Sequence, residues 1–255
     1  KSHPDDPRIA SRYAWELFKV GKRKDARKLA REILNGHPSE PYAILVMAQL
    51  ELRAEDVPAA IDWLERGLRQ DEPHPQLLDL LADLRFRQED YAQAVDLYNL
   101  GLKFRPDHVP WMRGLAASLT KVKDVARLTP VLERLVVIDG DNASVRRSLA
   151  RSALDEKRFD DAVRYARLAL QIDVLDVETH RILARASAAL QDLAVAFEEY
   201  SVALEIKPDA ADLVVELARI EHEMGQTAAA RGRLQKLLER EQGHKQALEL
   251  LEELR

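Results

Sequence analysis

The sequence predicts an all-α solenoid of antiparallel helix pairs, and three observations predict it. The first is composition. Of 255 residues, 46% are hydrophobic and 33% charged, with only 9 Gly and 11 Pro. Ala, Leu, Glu, Arg and Asp dominate and β-branched runs are short, which favours helix over strand. The second is a period. Ala stands at positions 14, 48, 82, 116, 150, 184 and 218, seven times at a spacing of 34. If Ala filled about a tenth of all positions, seven in register would arise by chance about once in 10⁷ trials. The third is apolar spacing within a period. Leu77, Leu78, Leu81 and Leu84 share one helical face, as do Ala94, Leu97, Tyr98 and Leu102. A polar break, Gln88-Glu89-Asp90-Tyr91, separates the two runs, so each period holds two helices of roughly three to four turns.

The units follow one another without a gap at 7–40, 41–74, 75–108, 109–142, 143–176, 177–210 and 211–244. A lead-in of residues 1–6 precedes them, and Asp6-Pro7 opens the first unit as a cap followed by Pro at the first helical position. A second Ala register lies twelve residues after the first, at Ala26, Ala60, Ala94, Ala162, Ala196 and Ala230. Small side chains let two helix axes approach toward the short end of the ~8–10 Å range. On this reading Ala150 and Ala162 face each other at one crossing. Pro38, Pro106 and Pro208 fall at one register after the second helix, and Pro58 and Pro110 lie in first turns, where a missing N–H costs little. Repeat 4 is irregular: Leu128 replaces Ala, and Pro130 falls within its second helix, as a first-turn Pro or as a kink. Residues 245–255 begin an eighth unit, with Ala247, Leu248, Leu251 and Leu254 on one face and Glu249, Glu252, Glu253 and Arg255 on the other. Glu252 occupies the crossing position that is Ala elsewhere, as suits a solvating cap.

These residues resemble the tetratricopeptide repeat. Repeat 3 matches its pattern at Leu81-Ala82, Tyr91, Ala94, Tyr98 and Pro106, and repeat 6 at Leu183-Ala184, Ala196, Tyr200, Ala203 and Pro208. The resemblance spans residues 7–244 as a single array and implies a right-handed superhelical solenoid. It also implies a non-catalytic scaffold that holds a protein or peptide against the first helices of successive units. The RNA-reading pentatricopeptide repeats have a period one residue longer, and seven gapless 34s speak against them.

Composition narrows the function further. The net charge of −5 argues against nucleic acid, whose binders carry a basic excess. The absence of Cys removes disulfides and thiolate chemistry and leaves the compartment open, with a soluble, cytoplasmic chain the default. No apolar run approaches the ~18 residues that span a bilayer. The opening on Lys1 rather than Met is what a piece or processed form of a longer protein would show. There is no His-Glu-x-x-His, phosphate-cradling Gly loop or nucleophile elbow. His37, His74, His108 and His244 lie scattered in turns, so no metal or other cofactor is expected.

By resemblance, repeat positions 2, 5, 9, 12 and 13 line the concave surface. Arg113, Arg147, Arg151, Arg181, Arg185 and Arg219 occupy positions 5 and 9 in repeats 4–7. Repeat 3 places Asp79 and Asp83 there, and repeats 1–2 place Trp15, Phe18, Tyr42, Leu45 and Leu52. An Arg stripe repels itself and needs a reason. One reason is local neutralisation, Arg151 by Asp155, Arg219 by Glu223 and Arg181 by Glu178. The other is a net positive groove that takes an acidic or phosphorylated segment, the aromatic end taking its apolar part. The chaperone-tail carboxylate clamp of the family is absent: from repeat 5 the chain offers Arg147, Arg151, Ile182, Asp212 and Glu216, without the two Asn and with reversed charges. Two other roles stay open: a structural or oligomerising module of a larger protein, and RNA or phosphate-ligand binding through the Arg stripe.

Overall fold

The computed structural model describes residues 6–68 and 74–254. Most of the lead-in, the end of repeat 2 and Arg255 lie outside them. The described residues form fifteen α-helices and no strand: α1 (Pro7–Lys19), α2 (Arg23–Gly36), α3 (Pro41–Arg53), α4 (Val57–Gly67), α5 (Pro75–Arg87), α6 (Tyr91–Phe104), α7 (Val109–Val122), α8 (Val125–Ile138), α9 (Ala143–Asp155), α10 (Phe159–Leu170), α11 (Val177–Ala189), α12 (Leu193–Ile206), α13 (Ala211–Glu223), α14 (Thr227–Arg240) and α15 (Lys245–Glu253). Contacts divide the chain into two compact units, residues 1–124 and 125–255, and the division falls between the helices of repeat 4.

One turn is reused in every hairpin. Its residues 21, 55, 89, 123, 157, 191 and 225 all have positive φ, between 58° and 83°, and recur every 34 positions. The next backbone N–H then reaches back five residues, as in Lys22 N to Leu17 O, Asp90 N to Arg85 O and Gln226 N to Glu221 O, at 2.7–2.9 Å. This left-handed ending satisfies carbonyls that the first helix leaves open. In repeats 2, 3 and 6 the donor residue also caps the second helix: the Asp56, Asp90 and Asp192 carboxylates accept from Ala59 N, Gln93 N and Val195 N.

Close packing follows from small residues, in a different pairing from the one expected. Ala150 packs in a cluster with Ala166, Ile182 and Leu183, whereas Ala162 packs with Ala153 and Ala186. In an antiparallel hairpin the positions that meet lie at equal distances either side of the turn, so the two constant Ala registers cannot oppose each other. In the first unit, glycine takes the role. A Cβ on Gly101 would lie 2.7 Å from the Trp111 ring, one on Gly114 2.3 Å from the Tyr98 ring, and one on Gly67 2.5 Å from Leu77. Pro130 lies inside α8, beyond its first turn, and Leu128 is buried on the same helix.

Candidate functional site

The sequence-predicted positions separate between the units. Trp15, Phe18, Tyr42, Leu45, Leu52, Asp79, Asp83 and Arg113 belong to the first, and Arg147, Arg151, Arg181, Arg185 and Arg219 to the second.

In the first unit the aromatic end is largely core. Phe18 and Leu45 are buried, which corrects their assignment to a partner surface; Trp15, Tyr42 and Leu52 pack partly buried against the same cluster. Trp15 stacks on Phe18 with ring centres 5.4 Å apart, and Arg53 covers the other ring contact of Phe18 at 5.2 Å. Tyr42 meets His74 edge-on and carries the Arg12 guanidinium at 5.5 Å. Trp15 and Tyr42 therefore keep only part of their surface for a ligand. Asp79 is also occupied, because it accepts a hydrogen bond from the buried Trp111 indole N–H. Asp83 pairs with Arg87 at 2.9 Å. Arg113 is exposed on α7.

In the second unit the arginines pair across repeats rather than along their own helices. Arg147 on α9 donates to Asp176, the cap of α11, at 2.5 Å, and Arg151 donates to Glu178 on α11. Arg181 on α11 holds Glu216 on α13 through two hydrogen bonds, 2.9 and 2.7 Å. Arg219 on α13 lies 3.9 Å from Glu253 on α15. Each rung ties one first helix to the next. Ion pairs at Asp155 and Glu223, expected one turn away, give way to these. A long Arg side chain can span the gap to the first helix of the next repeat, where a carboxylate accepts its charge-assisted hydrogen bonds. Burial alone would raise the Asp176 pKa, but hydrogen bonds from Thr179 and Arg147 outweigh it and hold the carboxylate below its ordinary range. Glu216 holds Arg181 protonated above its usual value.

Arg185 is the exception. It is exposed on α11 and makes no hydrogen bond or ion pair among the described residues. It stands in the same register as Arg151 and Arg219. Four carboxylates face the other four guanidinium groups of the stripe in this unit, and Asp155 and Glu223 remain exposed on α9 and α13. The face thus alternates in charge instead of carrying the net positive field expected of it. Beside the ladder a cleft of about 360 Å³ is lined by Glu178, Arg181, Lys207, Asp212, Glu241, His244 and neighbouring apolar residues. Lys207 and His244 were not legible as site residues, because they sit in turns and meet Glu178 and Arg181 only when successive repeats stack.

A family model described as tetratricopeptide repeat matches residues 17–84 and 187–254, more than half of the chain, and a second model of the same description matches 147–211. Among solved structures, a MamA protein is 18% identical at a TM-score of 0.63, over 66% of this chain and 91% of that one. YrrB, titled a TPR protein with an unusual peptide-binding site, is 14% identical at a TM-score of 0.64, over 73% and 96%. MamA from Desulfovibrio magneticus RS-1 is 22% identical at a TM-score of 0.57, over 72% and 96%. These likenesses show the fold, an all-α helical-repeat solenoid. No curated protein matches the chain.

Proposed function

Because this chain belongs to the tetratricopeptide-repeat family, a family of protein-interaction scaffolds, we propose that it is a non-catalytic scaffold holding an extended segment of another protein. The segment lies along the first helices of repeats 5–7. One observation carries the reading: Arg185 stands exposed, without a carboxylate, in register between Arg151 and Arg219, in a ladder where the other arginines are paired. A carboxylate or phosphate on the segment completes the rung that the chain leaves open. Arg147, Arg151 and Arg181 act instead as ties between repeats, and charge-assisted hydrogen bonds of about 1.5–3 kcal/mol each suit that role as well as ligand binding. Arg219, loosely held, is the second contact. No helix among the described residues is long and apolar enough to cross a membrane.

The test is fluorescence anisotropy with a library of labelled, extended acidic peptides. The best binder should lose about tenfold or more in affinity, roughly 1.4 kcal/mol, when Arg185 is replaced by Glu. Arg185→Glu with Arg219→Glu should abolish binding while the helical circular dichroism stays unchanged. Equal binding by the double variant would remove this face as the site.

A further inference from the structure

Charge is spread unevenly along the array, and the first repeat is the extreme. Residues 7–40 hold nine Lys and Arg against four Asp and Glu, in a chain whose net charge is −5, whereas residues 41–74 hold three against seven. Most of the excess sits on α2 and the turn before it. Lys24, Lys28, Arg31 and Asn35 stand at i, i+4, i+7 and i+11, so they share one face of that helix, and Arg23 and Arg27 flank it. Asp25 and Glu32 are the acids of α2; they lie on the adjoining edge, roughly 80° round the axis, and form no ion pair among the described residues. Lys22, Arg23, Lys24, Lys28 and Arg31 are exposed, and their side chains make no hydrogen bond or ion pair among the described residues. Arg27 lies 3.9 Å from Glu51, and Lys19 is taken by Glu16 at 2.6 Å.

This arrangement works against the helix that carries it. Lys22 stands where repeats 2, 3 and 6 place a capping Asp, and its side chain makes no cap. Arg23 and Lys24 add positive charge to the positive end of the helix dipole. Lys24 and Lys28, Lys28 and Arg31, and Arg27 and Arg31 are like-charged neighbours on successive turns. Several local rules broken at one place, with no compensating contact inside the chain, mark a functional surface.

The stripe leads into a cleft. About 600 Å³ of space opens between the end of α2 and α4, with Leu34, Pro38 and Trp63 as its apolar lining and Arg31, Asn35, Ser39 and Arg66 around them. Trp63 packs partly buried against the core, and the Arg66 guanidinium, held by Asp62 at 2.5 Å, covers the ring at 5.1 Å from its centre. Glu65, the other acid of α4, is held by Arg85 at 2.5 Å. A ring covered in this way is a poor stacking platform for a nucleobase, and the cleft suits an apolar side chain instead. Extent narrows the partner further. Lys24 to Arg31 spans about 10 Å of helix. A nucleic acid strand or a bilayer is anionic well beyond that length and would run on over repeat 2, where acids outnumber bases seven to three. A short acidic stretch of protein ends within the stripe. We propose that α2 and the α2–α4 cleft form a second docking surface, for a short acidic protein segment with one apolar anchor residue. It rests on second helices of the first unit and on no residue of the arginine ladder, so either surface can fail alone.

Fluorescence anisotropy tests it with short labelled peptides, each combining several Glu or Asp with one Leu, Ile or Phe. Binding is measured on the native chain and on Arg185→Glu with Arg219→Glu, which silences the ladder face. The expected result is a peptide held equally by both, whose affinity falls with salt and falls again when its apolar residue becomes Gly. Lys24→Glu with Arg31→Glu should weaken it about tenfold or more. That variant puts Glu in the first turn of α2 and leaves Lys28 between opposite charges, so its melting temperature should hold or rise, which separates lost binding from lost fold. Three results would each overturn the proposal: no peptide of the set binding once the ladder face is silenced; a binder indifferent to the Lys24 and Arg31 substitutions; or a uridine-rich RNA or phosphatidylserine vesicles held through Lys24 and Arg31 more tightly than any peptide.

Discussion

The five non-glycine residues held at positive φ, Glu55, Glu89, Lys123, Lys157 and Gln191, are the clearest local strain in the chain. Gly21 and Gly225 do the same work at the first and last turns without a Cβ penalty. Replacing Glu89 by Gly should therefore stabilise the protein by about 0.5–1 kcal/mol, the relieved left-handed strain exceeding the entropy that Gly loses; a urea midpoint that falls would contradict this. His180 offers a second test. The hydrogen bond to Glu199 comes first among the causes that raise its pKa above 6.5, with burial opposing and Val174 O and Asp176 assisting. A raised folded pKa gives stability that is complete below the unfolded value and lost as pH climbs through the folded one. The stability gap between the native chain and His180→Gln should thus be widest below pH 6.5 and narrow steadily above it, as read by urea melts across pH.

At the scale of the helix pair, packing rather than charge decides. Ala150 is fully buried among Ala166, Ile182 and Leu183, so Ala150→Leu should overpack repeat 5 at a cost of about 1–3 kcal/mol. Gly101→Ala should cost a similar amount, about 1–3 kcal/mol, because the added methyl meets the face of the Trp111 ring rather than a flexible chain end. Chemical denaturation measures both, and an unchanged midpoint in either would mean that the helices separate freely. The Ala positions could be read from the period of the sequence. Their partners could not, because a period says which residues are equivalent and leaves open which of them meet.

At the scale of the molecule, the rungs Arg147–Asp176, Arg151–Glu178 and Arg181–Glu216 join first helices 27 to 35 residues apart in sequence. Removing the best of them with Arg181→Ala should destabilise the second unit by about 1–2 kcal/mol, since Glu216 is partly buried and would lose two charge-assisted bonds; an unchanged melting temperature would show the ladder to be ornamental. Sequence alone determined the helical class and the 34-residue period, because these follow from local propensity and from spacings that repeat along the chain. It also brought the arginines into two registers four residues apart. Only the tertiary structure decided which arginines are already paired, that Phe18 and Leu45 belong to the core, and that Val174 and Leu175 face solvent over a buried histidine. Each of those depends on a contact between residues in different helices, where side-chain reach and the angle between axes choose the partner.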